Sequence, residues 1–368
     1  MIVLKSKLNN IFGFDDFEFC FSYPKKIINS LIEDEYLRER PNFRYKKAVI
    51  LMGSNATGKT SFGKALLRIF NYINTENKAS LLEMVPSDSV GSFSVDFVNE
   101  GFILHRLSGE INSINGSVDI HYASAEIDEK DSYEKCSEKL TDQTDILGKR
   151  SLKAIIGEIN FRFAYPEIES SLKIKGMDKT TLLKTLKAVI GTLDPTLADV
   201  SIAKDLKDSF IIRRKGTEII IQEGKLLNRD MLSSGTAEGI DIAVFLASMI
   251  AGNESFYYCD EHFSYIQSDI EKRIFGIMLD NIGVNEQMIF TTHNTDMLDL
   301  NLPKHTFAFL RKKEECGVFK TTVMYASDIL KRNTDSIRCA VQNDVFSSLP
   351  DESFLDTFVP SNSQEIKQ

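Results

Sequence analysis

The chain has 368 residues, of which 44 are Lys or Arg and 53 are Asp or Glu, so its formal net charge at pH 7 is −9. Hydrophobic residues make up 42% and charged residues 26%. These values are typical of a globular protein and exclude disordered and collagen-like chains. The acidic balance excludes a protein that coats DNA or an anionic membrane, so any contact with nucleic acid requires a local basic patch.

The predicted elements begin with a strand over 17–21, where apolar and polar residues alternate. The charged stretch 24–46 is compatible with helix and is predicted to be a surface insertion. The continuous apolar run at 48–52 is typical of a strand that is buried on both faces of a parallel sheet. Alternation returns over 92–98 and 102–106 and predicts an antiparallel pair.

The second half of the chain alternates between helix and strand patterns. Residues 151–193 are predicted to be helical, and further strands are predicted over 210–212, 218–221, 256–259 and 288–292. This order favours an α/β sandwich in which 1–123 and 195–348 form one discontinuous head. Residues 124–194 are predicted to form an inserted helical and polar lobe, and 349–368 a polar tail.

Targeting signals and cysteine pairs are missing from the sequence. The first residues, MIVLKSKL, lack the apolar stretch of a signal peptide, and the apolar run at 242–251 is half the length of a membrane span. The five cysteines form no CxxC pair, which argues against a disulfide framework or a zinc site. We therefore expect a cytoplasmic protein with no membrane contact.

A phosphate-binding motif follows the apolar run at 48–52. Residues 53–60 read GSNATGKT, a complete match to GxxxxGK[ST], and a helix is predicted over 61–72. Its glycines let backbone N–H groups turn towards phosphate oxygens, and the helix N-terminus adds its positive dipole end. We expect Lys59 to reach the β and γ phosphates and Thr60 to bind Mg²⁺. The motif predicts a P-loop nucleoside triphosphatase whose binding residues are Gly53, Ser54, Asn55, Ala56, Thr57, Gly58, Lys59, Thr60 and Ser61.

Two carboxylates end the predicted strand over 256–259. Nucleotides bind at the carboxyl ends of the strands in open α/β sheets, and Asp260 and Glu261 are expected there. Asp260 is predicted to hold Mg²⁺ through water, and Glu261 to polarise the attacking water. Because strands often end in acids, this pair indicates a site only together with the loop at 53–60.

Two further elements are ambiguous when taken alone. LSSGT at 232–236 precedes a helix predicted over 238–251, and its hydroxyls and free N–H groups offer a second anion site or an ordinary helix cap. The strand predicted over 288–292 ends at His293. What distinguishes these elements is their order along the chain: phosphate loop, Ser-Gly turn, Asp-Glu strand and His strand.

In that order, the four elements resemble the head of an ATP-binding-cassette (ABC) ATPase, a P-loop fold with a mixed sheet. LSSGT resembles the LSGGQ signature, and His293 resembles the switch histidine that senses the γ phosphate. The resemblance implies a head-to-tail homodimer with two Mg·ATP molecules between the subunits. Ser233 and Gly235 would contact the γ phosphate across that interface, and Ser234 belongs to the same nucleotide-binding turn.

The motif details narrow the resemblance. GSNATGKT, LSSGT and TTHNTDMLD at 291–299 are similar to the SMC-like and OLD-like branch, and more narrowly to the AAA-annotated ATPases of bacterial abortive-infection and anti-phage systems. Three features depart from the pattern. Residues 61–142 contain no glutamine for a Q-loop, HFSYIQ at 262–267 replaces the Asp-containing D-loop, and Thr236 replaces the signature glutamine.

The resemblance implies a Mg·ATP-hydrolysing protein that senses or regulates a separate effector in anti-phage defence. Residues 294–368 contain no second catalytic pattern, so a nuclease or TOPRIM-type effector is expected on another polypeptide. Three alternatives stay open: an SMC-like DNA-repair ATPase, a transporter subunit, and a nucleotide-locked scaffold with little turnover. The interval 61–231 shows no sustained heptad, and the missing Q-loop counts against the transporter. DNA contact would use the basic runs at 213–215 or 311–313, for which a solvated loop is the alternative interpretation.

Overall fold

The structure is a computed structural model that describes residues 1–28, 30–165, 174, 176–197, 199–203, 206–214, 217–315, 317–332 and 334–348. The predicted polar tail therefore lies outside the described residues. The strands are β1 (Ile2–Asn9), β2 (Phe17–Cys20), β3 (Tyr36–Leu37), β4 (Arg40–Arg44), β5 (Ala48–Met52), β6 (Val90–Val98), β7 (Ile103–Asn112), β8 (Ser117–Glu126), β9 (Thr141–Asp142), β10 (Phe161–Ala164), β11 (Asp199–Ile202), β12 (Ser209–Arg214), β13 (Thr217–Gln222), β14 (Lys225–Leu227), β15 (Phe256–Asp260), β16 (Gln287–Thr291), β17 (Phe307–Glu315) and β18 (Val318–Tyr325). The α-helices are α1 (Lys59–Thr75), α2 (Ala79–Leu82), α3 (Tyr133–Ser137), α4 (Leu152–Ile156), α5 (Lys179–Leu193), α6 (Ser234–Ala251), α7 (Ser268–Asn281), α8 (Ala326–Ile329) and α9 (Ile337–Gln342).

Two six-stranded sheets dominate the fold. The first is antiparallel, in the order β2-β1-β6-β7-β8-β9. The second has the order β10-β15-β16-β5-β17-β18, and its neighbours are parallel except for the last pair. A four-stranded antiparallel sheet, β11-β12-β13-β14, lies beside α5 and α6 in the same core. The mixed second sheet confirms the fold class that the sequence predicts.

The strand before the phosphate loop lies inside the second sheet, between β16 and β17. All five of its residues are buried. Val49 and Leu51 belong to the core that contains α1 and the antiparallel sheet, whereas Ala48, Ile50 and Met52 belong to the core on the opposite face with α5, α6 and α7. Because both faces are covered, the run is apolar without alternation, which confirms the prediction for 48–52.

Helix α1 is packed between the two large sheets by aromatic side chains. The Phe62 ring is fully buried and lies within 6.4 Å, centroid to centroid, of the rings of Phe14, Phe17, Phe19 and Phe21. The next residue must be glycine, since a Cβ at Gly63 would lie 2.6 Å from the Tyr258 ring. Close contact on both sides therefore places the N-terminus of α1 directly beside β15.

Two predictions of helix are wrong. Residues 161–164 form β10, which pairs in parallel with β15, because pairing with a distant strand outweighs the local pattern. Within 24–46 the described residues contain the short pair β3 and β4, and Phe43 and Tyr45 are fully buried. The hydrophobic contacts of these two aromatic residues attach the stretch to the first sheet instead of leaving it as a surface helix.

The stretch predicted to form an inserted lobe contributes to both large sheets. β9 extends the antiparallel sheet, β10 lies at the edge of the mixed sheet, and α5 packs against α6. This part of 124–194 is thus integrated into the head, and the domain boundaries themselves stay a prediction.

Helix α6 is the single helix in the described part of the chain that is long and apolar enough to cross a membrane by length and composition. Its mean hydropathy is 1.3, and 72% of it is buried inside the protein. A core helix has these same properties, and α6 packs in the core with α5.

Removal of the Phe62 ring tests the packing of α1. We expect Phe62→Ala to lower the free energy of unfolding by about 3–5 kcal/mol, because a fully buried ring leaves a cavity. Phe319→Ala is a matched control, since Phe319 is 58% exposed, and its effect should stay within about 1 kcal/mol. Urea denaturation of both variants measures the difference, and equal effects would contradict the packing argument.

Candidate functional site

The loop between β5 and α1 presents backbone N–H groups at the edge of the mixed sheet. Gly58 occupies the N-cap with a φ of 104°, and a Cβ there would lie 2.8 Å from the Phe14 ring. The N–H groups of Lys59, Thr60 and Ser61 follow in the first turn, where an α-helix provides no intrahelical acceptors. Together with the helix dipole, these donors suit an anion.

Lys59 is folded back against the loop that precedes it. Its Nζ donates to the carbonyl oxygens of Gly53 at 2.7 Å and Ser54 at 3.1 Å, and lies 3.2 Å from Oε1 of Glu261. Burial lowers the pKa of Lys59, against the opposing effect of the Glu261 carboxylate. The ammonium group is therefore held between the loop and the strand end that the sequence predicts to be catalytic.

Asp260 is completely buried at the end of β15. Its Oδ2 accepts a hydrogen bond of 2.6 Å from the Thr60 hydroxyl, and its Oδ1 accepts one of 2.9 Å from the Thr291 hydroxyl. Burial raises the pKa of Asp260, and these two hydrogen bonds offset the effect only in part. A hydroxyl and a carboxylate in contact form an oxygen donor set of the kind that Mg²⁺ prefers, so the residues fit the predicted ion.

Glu261 adopts a left-handed backbone conformation, with a φ of 49°. Its Oε1 lies 2.8 Å from Nε2 of His293 and 3.2 Å from Nζ of Lys59. Burial acts to raise the pKa of Glu261, but the hydrogen bond from His293 and the charge of Lys59 outweigh it, so the pKa is lowered. The structure thus brings together Lys59, Glu261 and His293, which lie far apart in the sequence.

Thr291 is a residue of the site that the sequence analysis missed. Besides its bond to Asp260, its hydroxyl accepts a hydrogen bond of 2.9 Å from the backbone N–H of Glu261. It therefore connects the two acids to the strand that carries His293. The available signal was its place near the end of a predicted buried strand, two residues before that histidine.

A cavity of about 430 Å³ opens over the phosphate loop. Part of its wall comes from residues that the sequence analysis did not assign to the site, namely the turn after β1 and the hairpin of β17 and β18. These additional residues are Phe12, Gly13, Phe14, Lys312 and Thr321.

The Ser-Gly turn does not line this cavity. Ser233 caps α6, and its Oγ accepts a hydrogen bond of 3.2 Å from the backbone N–H of Thr236. Ser233 and Ser234 are exposed, whereas a Cβ at Gly235 would lie 2.8 Å from the carbonyl oxygen of Tyr265. The geometry is that of a helix cap whose two serines are exposed at the surface.

The two basic runs have different surroundings. The Arg213 guanidinium lies 3.0 Å from Glu218 and 3.3 Å from Asp199, so part of that run is neutralised. Lys215 lies outside the described residues. In the second run Lys312 lines the cavity over the phosphate loop.

Solved structures match the chain at low sequence identity. An SMC head bound to the C-winged helix domain of ScpA is 12% identical, with a TM-score of 0.53 over 90% of this chain and 100% of that chain. An Smc head domain with an extended coiled coil bound to the C-terminal domain of ScpA, derived from Pyrococcus furiosus, is 10% identical, with a TM-score of 0.49 over 90% and 98% of the two chains. An ATP complex of the recombination mediator protein RecF is 10% identical, with a TM-score of 0.44 over 87% and 98%. No protein-family model and no curated protein matches the chain. At 12% identity the likeness to the first of these structures shows the fold alone, which is that of an ABC-type ATPase head.

The hydroxyl of Thr291 can be removed without a change of shape. We expect Thr291→Val to lower the free energy of unfolding by about 1–3 kcal/mol, because a buried carboxylate oxygen loses its donor and the N–H of Glu261 loses an acceptor. The pKa of Asp260 should rise further. Thr180→Val, at an exposed position in the first turn of α5, is the control and should change stability by less than about 0.5 kcal/mol. Chemical denaturation at neutral pH compares them, and an unchanged Thr291→Val protein would contradict the assigned hydrogen bonds.

Proposed function

We propose that the chain is an ATPase that binds Mg·ATP on the loop at 53–60 and hydrolyses it with Glu261. The observation that carries the proposal is the convergence of Lys59, Glu261 and His293 beside the Thr60–Asp260 pair. A phosphate group placed on the loop would meet the helix N-terminus and the Lys59 ammonium together. Phosphoryl transfer depends mainly on such positioning and charge stabilisation.

Mg²⁺ would be held by Thr60 and Asp260 and would neutralise the charge of the phosphate oxygens. Of the two residues, Asp260 gains more from a cation, because its carboxylate is buried and its oxygens accept hydrogen bonds from two neutral hydroxyl groups. Sites of this kind usually combine one or two carboxylates with the substrate phosphates.

Glu261 is proposed to orient and polarise the attacking water. His293 and Lys59 keep the pKa of Glu261 low, so its carboxylate is ionised and weakly basic. A phosphate that attracts Lys59 would remove one of these stabilising contacts and thus raise the basicity of Glu261. His293 would report the γ phosphate through its bond to the same carboxylate oxygen.

The Ser-Gly turn is proposed to act across a homodimer. Ser233, Ser234 and Gly235 do not line the cavity over the phosphate loop of their own chain, and both serines are exposed. A head-to-tail arrangement would bring this turn onto the phosphate loop of the other subunit. The resemblance of LSSGT to the ABC signature supports the same arrangement.

The regulatory output is proposed to be control of a separate effector in bacterial anti-phage defence, in the cytoplasm. Two observations support this proposal: the resemblance of the motifs, and the contacts that residues of the two basic runs make within the head. Acidic side chains pair with Arg213, and Lys312 lines the cavity over the loop at 53–60. Residues of both basic runs are therefore engaged within the head and are not fully available to bind DNA. An SMC-like DNA-repair role is the second candidate, and it is favoured by the SMC head fold.

Substitution of Glu261 tests the assignment of the base. We expect Glu261→Gln to reduce kcat by about 10²–10⁴-fold with the Kd for ATP unchanged, because the amide cannot polarise water while the loop stays intact. Unhydrolysed ATP should therefore accumulate on the variant, which should be trapped as an ATP-bound dimer.

The control for this experiment is Glu129→Gln, which changes an exposed carboxylate in the same way. Steady-state phosphate release and equilibrium ATP binding are measured for both variants. Wild-type turnover by Glu261→Gln would show that another group acts as the base.

A mixing experiment tests the composite site. Lys59→Ala should abolish productive ATP binding, and Ser234→Arg should block closure of the turn, so each protein alone should be inactive. In a head-to-tail dimer, a heterodimer of the two contains one intact site. Mixing should therefore restore part of the phosphate release, up to about a quarter of the wild-type rate per chain. Failure to recover activity, with stable heterodimers present, would contradict action in trans.

A further inference from the structure

A buried carboxylate lies behind the segment that carries His293. Glu271, on α7, is 2% exposed. Its Oε1 accepts a hydrogen bond of 2.7 Å from the Thr292 hydroxyl, and its Oε2 accepts one of 2.6 Å from Nδ2 of Asn294. One side chain therefore holds the residues on both sides of His293.

The hydrogen-bond partners of this carboxylate are also hydrogen-bonded to each other and to neighbouring residues. The Thr292 hydroxyl, which donates to Glu271, also accepts a 3.0 Å bond from the Asn294 backbone N–H. The Asn294 amide donates to Ser268 at 2.8 Å, and its oxygen caps the backbone N–H of Asp296 at 2.9 Å. Neither Thr292 nor Asn294 can rotate without breaking at least two bonds.

His293 depends on this backbone because its own side chain is not enclosed. The imidazole is 40% exposed, and its Nε2 lies 2.8 Å from Oε1 of Glu261. A partly exposed ring is placed by its backbone more than by packing around it. The direction of the Cα–Cβ bond at 293 is set by the residues that Glu271 holds.

We propose that Glu271 is a positioning residue for His293, acting through Thr292 and Asn294 to keep the imidazole against Glu261. This inference rests on the proposed roles of Glu261 and His293 and adds the element that fixes their geometry. Glu271 itself lies behind the loop and touches no reacting group.

The stability cost of this arrangement supports a functional role. Burial raises the pKa of the Glu271 carboxyl, and its hydrogen-bond partners Thr292 and Asn294 are neutral groups. A buried carboxylate between neutral partners is unfavourable for folding compared with a neutral side chain. Such groups concentrate at functional sites.

The first test compares two carboxylate-to-amide changes on the same helix. Glu271→Gln keeps the shape but replaces one acceptor oxygen by an NH2 donor. With the remaining oxygen on Nδ2 of Asn294, the Thr292 hydroxyl loses the acceptor of its own proton. We expect kcat to fall by about 10- to 100-fold with the Kd for ATP unchanged, because misplaced groups lose catalytic alignment. Asp269→Asn is the matched control, since that side chain is 93% exposed, and it should keep wild-type kcat and Kd. Unchanged kcat in Glu271→Gln would overturn the proposal.

A double-mutant cycle separates positioning from general structural damage. If Glu271 acts through His293, Glu271→Gln should cause no further loss of kcat in a His293→Ala background. Losses that multiply would overturn the proposal, because they would place the effect of Glu271 elsewhere. If Glu271→Gln does not fold, Thr292→Val removes one of the same two bonds and should show the same lack of additivity.

A measurement independent of turnover completes the design. The chain has five histidines, and the imidazole ¹⁵N resonances of His293 can be assigned by their loss in His293→Ala. We expect these resonances to shift in Glu271→Gln and not in Asp269→Asn. If wild-type protein does not hydrolyse ATP, the proposed function fails, while this spectrum still decides whether Glu271 positions His293. Unshifted His293 resonances would overturn the inference even in an active ATPase.

Discussion

The site depends on one buried carboxylate. Asp260 has no exposed surface, and its two oxygens are occupied by hydroxyl groups from two different elements, Thr60 at the start of α1 and Thr291 at the end of β16. A charge withdrawn from water requires compensation, and two neutral donors supply only part of it, as the raised pKa of Asp260 shows. The same arrangement holds the phosphate loop, the acid strand and the histidine strand in register. It also leaves an oxygen site whose charge a cation would balance.

A series of hydrogen bonds and ion pairs runs outwards from Asp260. Thr291 binds the backbone of Glu261, Glu261 contacts His293 and Lys59, and the residues beside His293 are held by Glu271. Beyond these, the segment continues to Asp296 and Asp299, both of which contact the Arg338 guanidinium of α9. Helix α9 is thus joined by hydrogen bonds to the segment that follows the histidine.

The architecture explains how a chain that is only 12% identical to an SMC head can share its fold. Three parallel strands, β5, β15 and β16, end at one edge of the sheet, and α1 begins there between the two sheets. Covered faces require apolar side chains on these strands, and many sequences satisfy that requirement. The partner and the biological output are not encoded by this framework, since one fold supports many functions.

The sequence by itself determined the local features: the GxxxxGK[ST] motif at 53–60, the buried strands over 48–52 and 256–259, the acids that end the second strand, and the fold class. These features can be predicted from sequence because glycine spacing, apolar runs and helix starts are local patterns, formed by residues close together in the chain. Only the tertiary structure decided that 161–164 is a strand, that Thr291 joins the acids, and that Glu271 lies behind His293. Such relations join distant parts of the chain, as Thr60 and Asp260 are 200 residues apart. Local periodicity carries no information about which distant segments become neighbours, so strand pairing, packing and hydrogen bonding in the folded chain decided these contacts.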